Sequence, residues 1–154
     1  MKKRNIILIG MPGAGKSSVG VILAKALGYE FIDTDLVIQH REKRLLREII
    51  ADEGNEGFLA IENEVNATLE ADESVIAPGG SAIYGKEAME HFKEIGTIVY
   101  LKLSYEDLAK RLGNLKGRGV VLKEGQTLKD LYDERSKLYE QYAELSLIHI
   151  SEPT

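Results

Sequence analysis

The 154-residue chain has no cysteine, no tryptophan and only three prolines. Without thiols there is neither a disulfide framework nor a thiolate metal site, and cysteine nucleophiles are excluded. Histidine is almost as scarce, and His40, His91 and His149 are too far apart to suggest a ligand set. A net charge of -5 and the lack of any long basic run leave no footprint for a nucleic-acid backbone. No apolar stretch approaches the roughly 18 residues a membrane span needs. The basic start "MKKRN" leads into too short an apolar run for a signal peptide. These absences predict a cytoplasmic protein, one domain by length, that acts on a small partner and not on a nucleic acid or a membrane.

What is present alternates in period. "NIILIG" is a short apolar run ending at Gly10, the pattern of a buried parallel strand. "KSSVGVILAKALG" follows as a helix, with Val19, Ile22, Leu23, Ala26 and Leu27 at helical spacing and Gly28 as its stop. "YEFID" reads as a strand, "TDLVIQHREKRLLREIIADEG" as one or two helices, and "FLAIENEVNATLEA" as a helix with Phe58, Ile61, Val65 and Leu69 on one stripe. "SVIAPGG" is again a short strand, residues 86–93 form a helix, and "TIVYLKL" is a fourth strand. "TLKDLYDERSKLYEQYAE" returns to helix, with Arg135 on the same stripe as Leu128, Leu131, Leu138 and Tyr142. Strands alternating with helices predict an α/β fold, a parallel sheet covered on both faces. Residues 113–125, rich in glycine and charge, fit either a mobile lid or a surface loop.

The last ten residues, "LSLIHISEPT", match the translation of a transposase-type sequencing adapter. The expected natural domain is therefore residues 1–144, with 145–154 a non-native tail and a truncated C-terminal end. A further strand and helix, about 20 residues, would be needed to finish such a sheet. "LSLIHI" is β-prone enough to imitate that strand.

Gly10, Gly15, Lys16 and Ser17 satisfy G-x-x-x-x-G-K-[ST] between a predicted strand and a predicted helix. Glycines let the backbone N–H groups curl inward around phosphates, Lys16 reaches the β- and γ-phosphates, and Ser17 ligates Mg²⁺. The loop alone says only nucleoside triphosphate. "FIDTD" places Asp33 and Asp35 at the end of the second strand, where open α/β sheets bind ligands. Two acids there can divide the labour, one near the metal and one orienting an attacking hydroxyl; alternatively, Asp35 caps the following helix. "SVIAPGG" lacks the aspartate of an ordinary Walker B strand. Arg135 either snorkels out of its apolar stripe or points into a cleft toward an anion. Arg118, in the glycine-rich stretch, either closes over transferring phosphate or is an exposed loop residue.

Taken together, these residues resemble the shikimate kinases, small P-loop kinases of the nucleoside monophosphate kinase class, from about Arg4 to Ala143. "GMPGAGKSSVG" is similar to the family's phosphate loop and "FIDTD" to its paired-acid strand. "GNEGFLAIE" sits where the family has G-E-x-x-F-R-x-x-E, "APGGSA" where it has x-x-G-G-G-A, and "ERSKLYEQYA" resembles R-x-P-x-Y-x-x-x-A. The resemblance implies a three-layer α/β/α P-loop NTPase fold with a mainly parallel sheet and a lid near residues 113–125. It implies a monomeric Mg²⁺- and ATP-dependent kinase that converts shikimate to shikimate 3-phosphate in aromatic amino acid biosynthesis. ATP would meet Gly13, Ala14, Gly15, Lys16, Ser17, Ser18, Arg111 and Arg118. Mg²⁺ would meet Ser17 and Asp33, and the substrate Asp35, Gly79, Gly80 and Arg135, with Lys16, Asp35 and Arg118 as catalytic residues. Several positions depart from the pattern: Leu59 replaces an arginine that helps bind the shikimate carboxylate, and Ser81 replaces a glycine, where its side chain would crowd the substrate. Asn55, Lys137 and Gly119 replace a glutamate and two prolines. Two alternatives stay open, a kinase for another small polyol or sugar acid and a nucleotide-binding module without turnover.

Overall fold

Asn5–Ile9 (β1), Ser74–Ala77 (β3) and Gly96–Lys102 (β4) are rich in β-branched residues and are buried along most of their length. Strands with no solvent face belong in the middle of a parallel sheet. The computed structural model describes residues 4–113 and 125–148. In it these three strands are flanked by Glu30–Asp33 (β2) and Leu145–Ile148 (β5), in the order β2-β3-β1-β4-β5. Every neighbouring pair is parallel. The β-prone start of the tail thus pairs with β4, Val99 standing opposite Leu145. Residues 114–124, which hold Arg118, Gly119 and most of the expected lid, lie outside the described residues.

Six helices connect the strands among the described residues: Lys16–Leu27 (α1), Thr34–Glu42 (α2), Leu46–Ala67 (α3), Lys86–Ile95 (α4), Tyr105–Gly113 (α5) and Leu128–Tyr142 (α6). Side chains that alternate along each strand divide the core in two. Leu8, Val75, Val99 and Leu101 pack with Ala24 of α1 on one face. Ile7, Ile9, Ile76, Ile98 and Tyr100 meet Phe92 of α4, Leu108 of α5 and Leu131 and Tyr139 of α6 on the other. The result is the three-layer arrangement that the alternating pattern predicts.

Three stretches refine the local reading. On α1, Val19 and Leu23 pack on the sheet as read, but Ile22 (69% exposed), Ala26 and Leu27 face solvent, and the most buried line is Lys16, Gly20 and Ala24 at i, i+4 spacing. Phe31 sets this phase, because its ring stands 2.5 Å from where a Cβ on Gly20 would be, so the helix meets the sheet on its smallest residues. The segments read as separate helices before and after Gly54 do part there: Gly54, at φ 75° and ψ 176°, is non-helical and divides α3 by a kink. The break between α2 and α3 falls at Lys43, a non-glycine residue in the left-handed region at φ 56°. Finally, "YEDLAKRLG", which carried no assignment, is α5. The Ser104 hydroxyl accepts from Asp107 N at 3.2 Å and opens it, and Leu108 and Leu112 bury its inner face.

Because all strands run the same way, β1, β2 and β3 deliver Ile9, Asp33 and Ala77 to one edge of the sheet. The loops after β1 and β3 lie beside one another there, where open parallel sheets bind ligands.

Candidate active site

The chain leaves β1 through residues 10–15 and enters α1 at Lys16. Gly13 and Gly15 have φ of 86° and 88°, backbone that glycine adopts at little cost. No side chain caps α1 and no acid stands in its first turn. By contrast, Asp33 caps α2 and Thr127 caps α6. The leading N–H groups of α1 and its positive dipole end are thus left to a ligand, the arrangement that binds phosphate. Lys16 is buried, and its Nζ donates to the Gly10 and Met11 carbonyls at 2.7 and 2.9 Å. Burial lowers its pKa to about 8, against the charges of Asp35, Asp33 and Glu62, which favour the ammonium form. Arg111 of α5 donates to the Gly13 carbonyl at 2.9 Å and so flanks the loop. Ser17 and Ser18 are exposed at its mouth. Ala14 is turned inward, with its N–H bonded to the Met11 carbonyl at 3.1 Å, so it braces the loop.

The paired acids have separate duties. Asp33 Oδ1 accepts the Asp35 N–H at 3.0 Å, so Asp33 is the helix cap. That leaves the Asp35 carboxylate free to line the cleft. Burial, and then the neighbouring Asp33 charge, raise the Asp35 pKa to about 6, with Lys16 opposing.

The rest of the cleft is assembled from distant segments. The loop after β3 brings Gly79, Gly80 and Ser81 alongside the phosphate loop, and Pro12 lies against Gly80. Asp35 Oδ1 and Glu62 Oε2 each lie 2.9 Å from the point a Cβ on Gly79 would occupy, so only glycine leaves both oxygens their place. Glu62 of α3 is 1% exposed and receives the Ser81 hydroxyl on Oε1 at 2.6 Å. Its pKa is raised by burial to about 7, the Ser81 hydrogen bond opposing. Arg135 is also 1% exposed. Its guanidinium lies over the Tyr84 ring at 5.5 Å, and Nη1 comes within 3.0 Å of the Cβ point of Gly80. Tyr139, one turn further along α6, donates to the Gly80 carbonyl at 2.7 Å and fixes the loop against the helix. Arg135 therefore points into the cleft; it does not snorkel.

The cleft has a volume of about 890 Å³. It gathers Gly13, Gly15, Lys16, Ser17, Ser18, Asp33, Asp35, Gly79, Gly80, Arg111 and Arg135 of the residues expected from sequence, whereas Arg118 lies outside the described residues. Glu62 carried no expected role, although its place on the buried line Phe58, Glu62, Val65 is the same signal that marked Arg135. Arg47 and Phe58 of α3 also line the cleft. Ser81, expected to crowd the substrate, lines the cleft with its hydroxyl tied to Glu62. Leu59 leans on the apolar cluster of Ile38, Ile49 and Phe58.

Serine and carboxylate oxygens are the hard donors Mg²⁺ prefers, and P-loop sites hold it by one or two such groups plus the phosphates. Ser17 and Asp33 meet that description at the mouth of the loop. Among the described residues no cluster of three or more His, Asp or Glu could form an all-protein metal cage.

The sequence profile of the family described as shikimate kinase matches residues 12–153. The protein named shikimate kinase 2 in Yersinia enterocolitica is 34% identical over 149 residues, covering 91% of this chain and 83% of that protein. A solved structure of shikimate kinase from Acinetobacter baumannii in complex with shikimate superposes with a TM-score of 0.86 at 33% identity, over 98% of this chain and 86% of that one. Shikimate kinase from Aquifex aeolicus gives a TM-score of 0.77 at 31% identity, over 94% and 86%. With its phosphate loop, paired acids and buried cleft arginine in place, the chain belongs to the shikimate kinase family.

Proposed function

We propose that this protein transfers the γ-phosphoryl group of ATP to the 3-hydroxyl of shikimate. The observation that carries the reading is the meeting of opposite charges on one glycine pair: Asp35 and Glu62 crowd Gly79, and Arg135 crowds Gly80, in the cleft that Lys16 also lines. A small acid bearing several hydroxyls has the matching groups, a carboxylate for the guanidinium and hydroxyls for the carboxylates.

In this reading the α1 N-terminus and Lys16 hold the β- and γ-phosphates, and Arg111 flanks the nucleotide. Ser17 and Asp33 would hold Mg²⁺, whose contribution when bound is to neutralise phosphate charge. Arg135 anchors the carboxylate, a charge-assisted contact in a buried site. Asp35 orients the attacking hydroxyl and takes its proton as the new P–O bond forms and the bond to ADP breaks. Its pKa of about 6 leaves it mostly ionised near neutral pH, as a proton acceptor must be. Arg118, in the stretch expected to form a lid, would stabilise the transferring phosphoryl group. The same reading has the protein act as a monomer.

A coupled assay of ADP release with and without shikimate tests this. Release that depends on shikimate is expected. Release only with another polyol or sugar acid would shift the assignment to a different acceptor, and tight ATP binding without turnover would make the protein a non-catalytic relative.

A further inference from the structure

Two departures from the family pattern meet in the acceptor half of the cleft. An arginine at position 59 would stand one turn before Glu62 on α3, at the i, i+3 spacing where opposite charges pair. Leu59 packs instead on Ile38, Ile49 and Phe58 and offers the carboxylate nothing. What Glu62 has is the Ser81 hydroxyl, donated to Oε1 at 2.6 Å; a glycine at 81 would have no such donor. The second oxygen, Oε2, is buried with no hydrogen-bond partner and turned toward Gly79 beside Asp35 Oδ1. Arg135 Nε, on the other side of the glycine pair, is a buried donor likewise without a partner. An unpaired buried polar atom is costly in an interior. A hydroxylated acid lying on Gly79 and Gly80 would satisfy both atoms at once.

We propose that Ser81 is a positioning residue for the acceptor: by holding Oε1, it turns Oε2 of Glu62 toward Gly79, where Glu62 takes a second substrate hydroxyl beside the one held by Asp35. Ser81 itself touches no substrate in this account and acts only through Glu62. The inference rests on the shikimate kinase reading of the cleft and supplies a use for a residue that the family pattern has as glycine.

The charged groups facing Glu62 are Asp35 from α2, Lys16 from α1 and Arg135 from α6. Asp35 favours the protonated carboxyl, while Arg135, Lys16 and the Ser81 hydroxyl favour the carboxylate. Loss of the hydroxyl therefore moves protonation of Glu62 to higher pH. A neutral carboxyl accepts a weaker hydrogen bond than a carboxylate does. The acceptor KM should then begin to rise at a higher pH than in the wild type.

Steady-state kinetics of the wild type, Ser81→Ala and Ser81→Thr across about pH 5.5 to 8.5, with both substrates varied, test the proposal. Ser81→Ala is expected to raise the shikimate KM about tenfold at neutral pH, with a smaller change in kcat and in the ATP KM. The acidic limb of its acceptor profile should move up in pH. Ser81→Thr, which keeps a hydroxyl, should stay nearer the wild type in both readouts. A KM and limb unmoved in Ser81→Ala, or moved equally in Ser81→Thr, would overturn the proposal. Absence of shikimate-dependent turnover in the wild type would overturn the functional reading beneath it, a result distinct from any pattern among the variants.

Discussion

The two ends of the cleft are made in opposite ways. The phosphate end is one continuous stretch, residues 10–18, and most of its chemistry is backbone: glycines at positive φ, an uncapped helix start and two carbonyls that hold Lys16. The acceptor end draws Asp35 from α2, Glu62 from α3, Gly79 to Ser81 from the loop after β3 and Arg135 from α6, and its chemistry is buried side-chain charge. A backbone site needs little beyond local geometry, whereas a site of buried charges must be balanced by partners from elsewhere in the fold. The acceptor end accordingly holds the unpaired polar atoms Glu62 Oε2 and Arg135 Nε. Unsatisfied atoms of this kind make a site poor at packing and good at binding.

The largest expected effect that would break this comparison is at Asp35. Asp35→Asn should lower kcat by about 10²- to 10⁴-fold, the range for loss of a positioned general base. The same change should stabilise the protein. Burial raises the folded carboxyl from its ordinary value of 3.8 to about 6, so between those values the folded state holds a proton that the unfolded chain has released. Stability of the wild type therefore falls as pH rises from about 4 to about 6, and the variant is spared that loss, on the order of 1 to 3 kcal/mol. Melting curves from pH 4 to 7 check the sign: the gap in Tm should open in favour of Asp35→Asn as pH rises, and a gap that closes would mean Asp35 is a structural asset.

A smaller effect sharpens the comparison at Leu59. Leu59→Arg brings a cation one turn from Glu62 and should lower the shikimate KM by up to about tenfold, the worth of one charge-assisted contact. Some stability should be lost, because Leu59 now packs on Ile38, Ile49 and Phe58. An unchanged or raised KM in steady-state assays would mean that the missing arginine is not a deficit in this chain.

The same contrast explains what the sequence could and could not reveal. The strand, turn and helix of residues 5–27 are local, and so is the paired-acid end of β2; both were legible as patterns of spacing. Arg135 was legible as an anomaly, a charge on an apolar stripe. Glu62 carries an equal anomaly between Phe58 and Val65, but it means little until the fold brings Ser81 to it. Part of the α1 stripe, Ile22, Ala26 and Leu27, faces solvent because Phe31, a residue on another element, draws the line of Gly20 and Ala24 to the sheet with Val19 and Leu23 beside it. The break at Lys43 has neither glycine nor proline to announce it. The hydrogen bond of Ser81 was hidden for the same reason, since its direction depends on a carboxylate 19 positions away.

One cleft thus has a phosphate end and an acceptor end with separate determinants. Calorimetric titration of Arg135→Met with shikimate, and in parallel with ATP, tests it most directly. Shikimate affinity should fall about 10- to 100-fold, while ATP affinity stays within about threefold of the wild type. Equal loss of both ligands, or loss of ATP binding alone, would contradict the account.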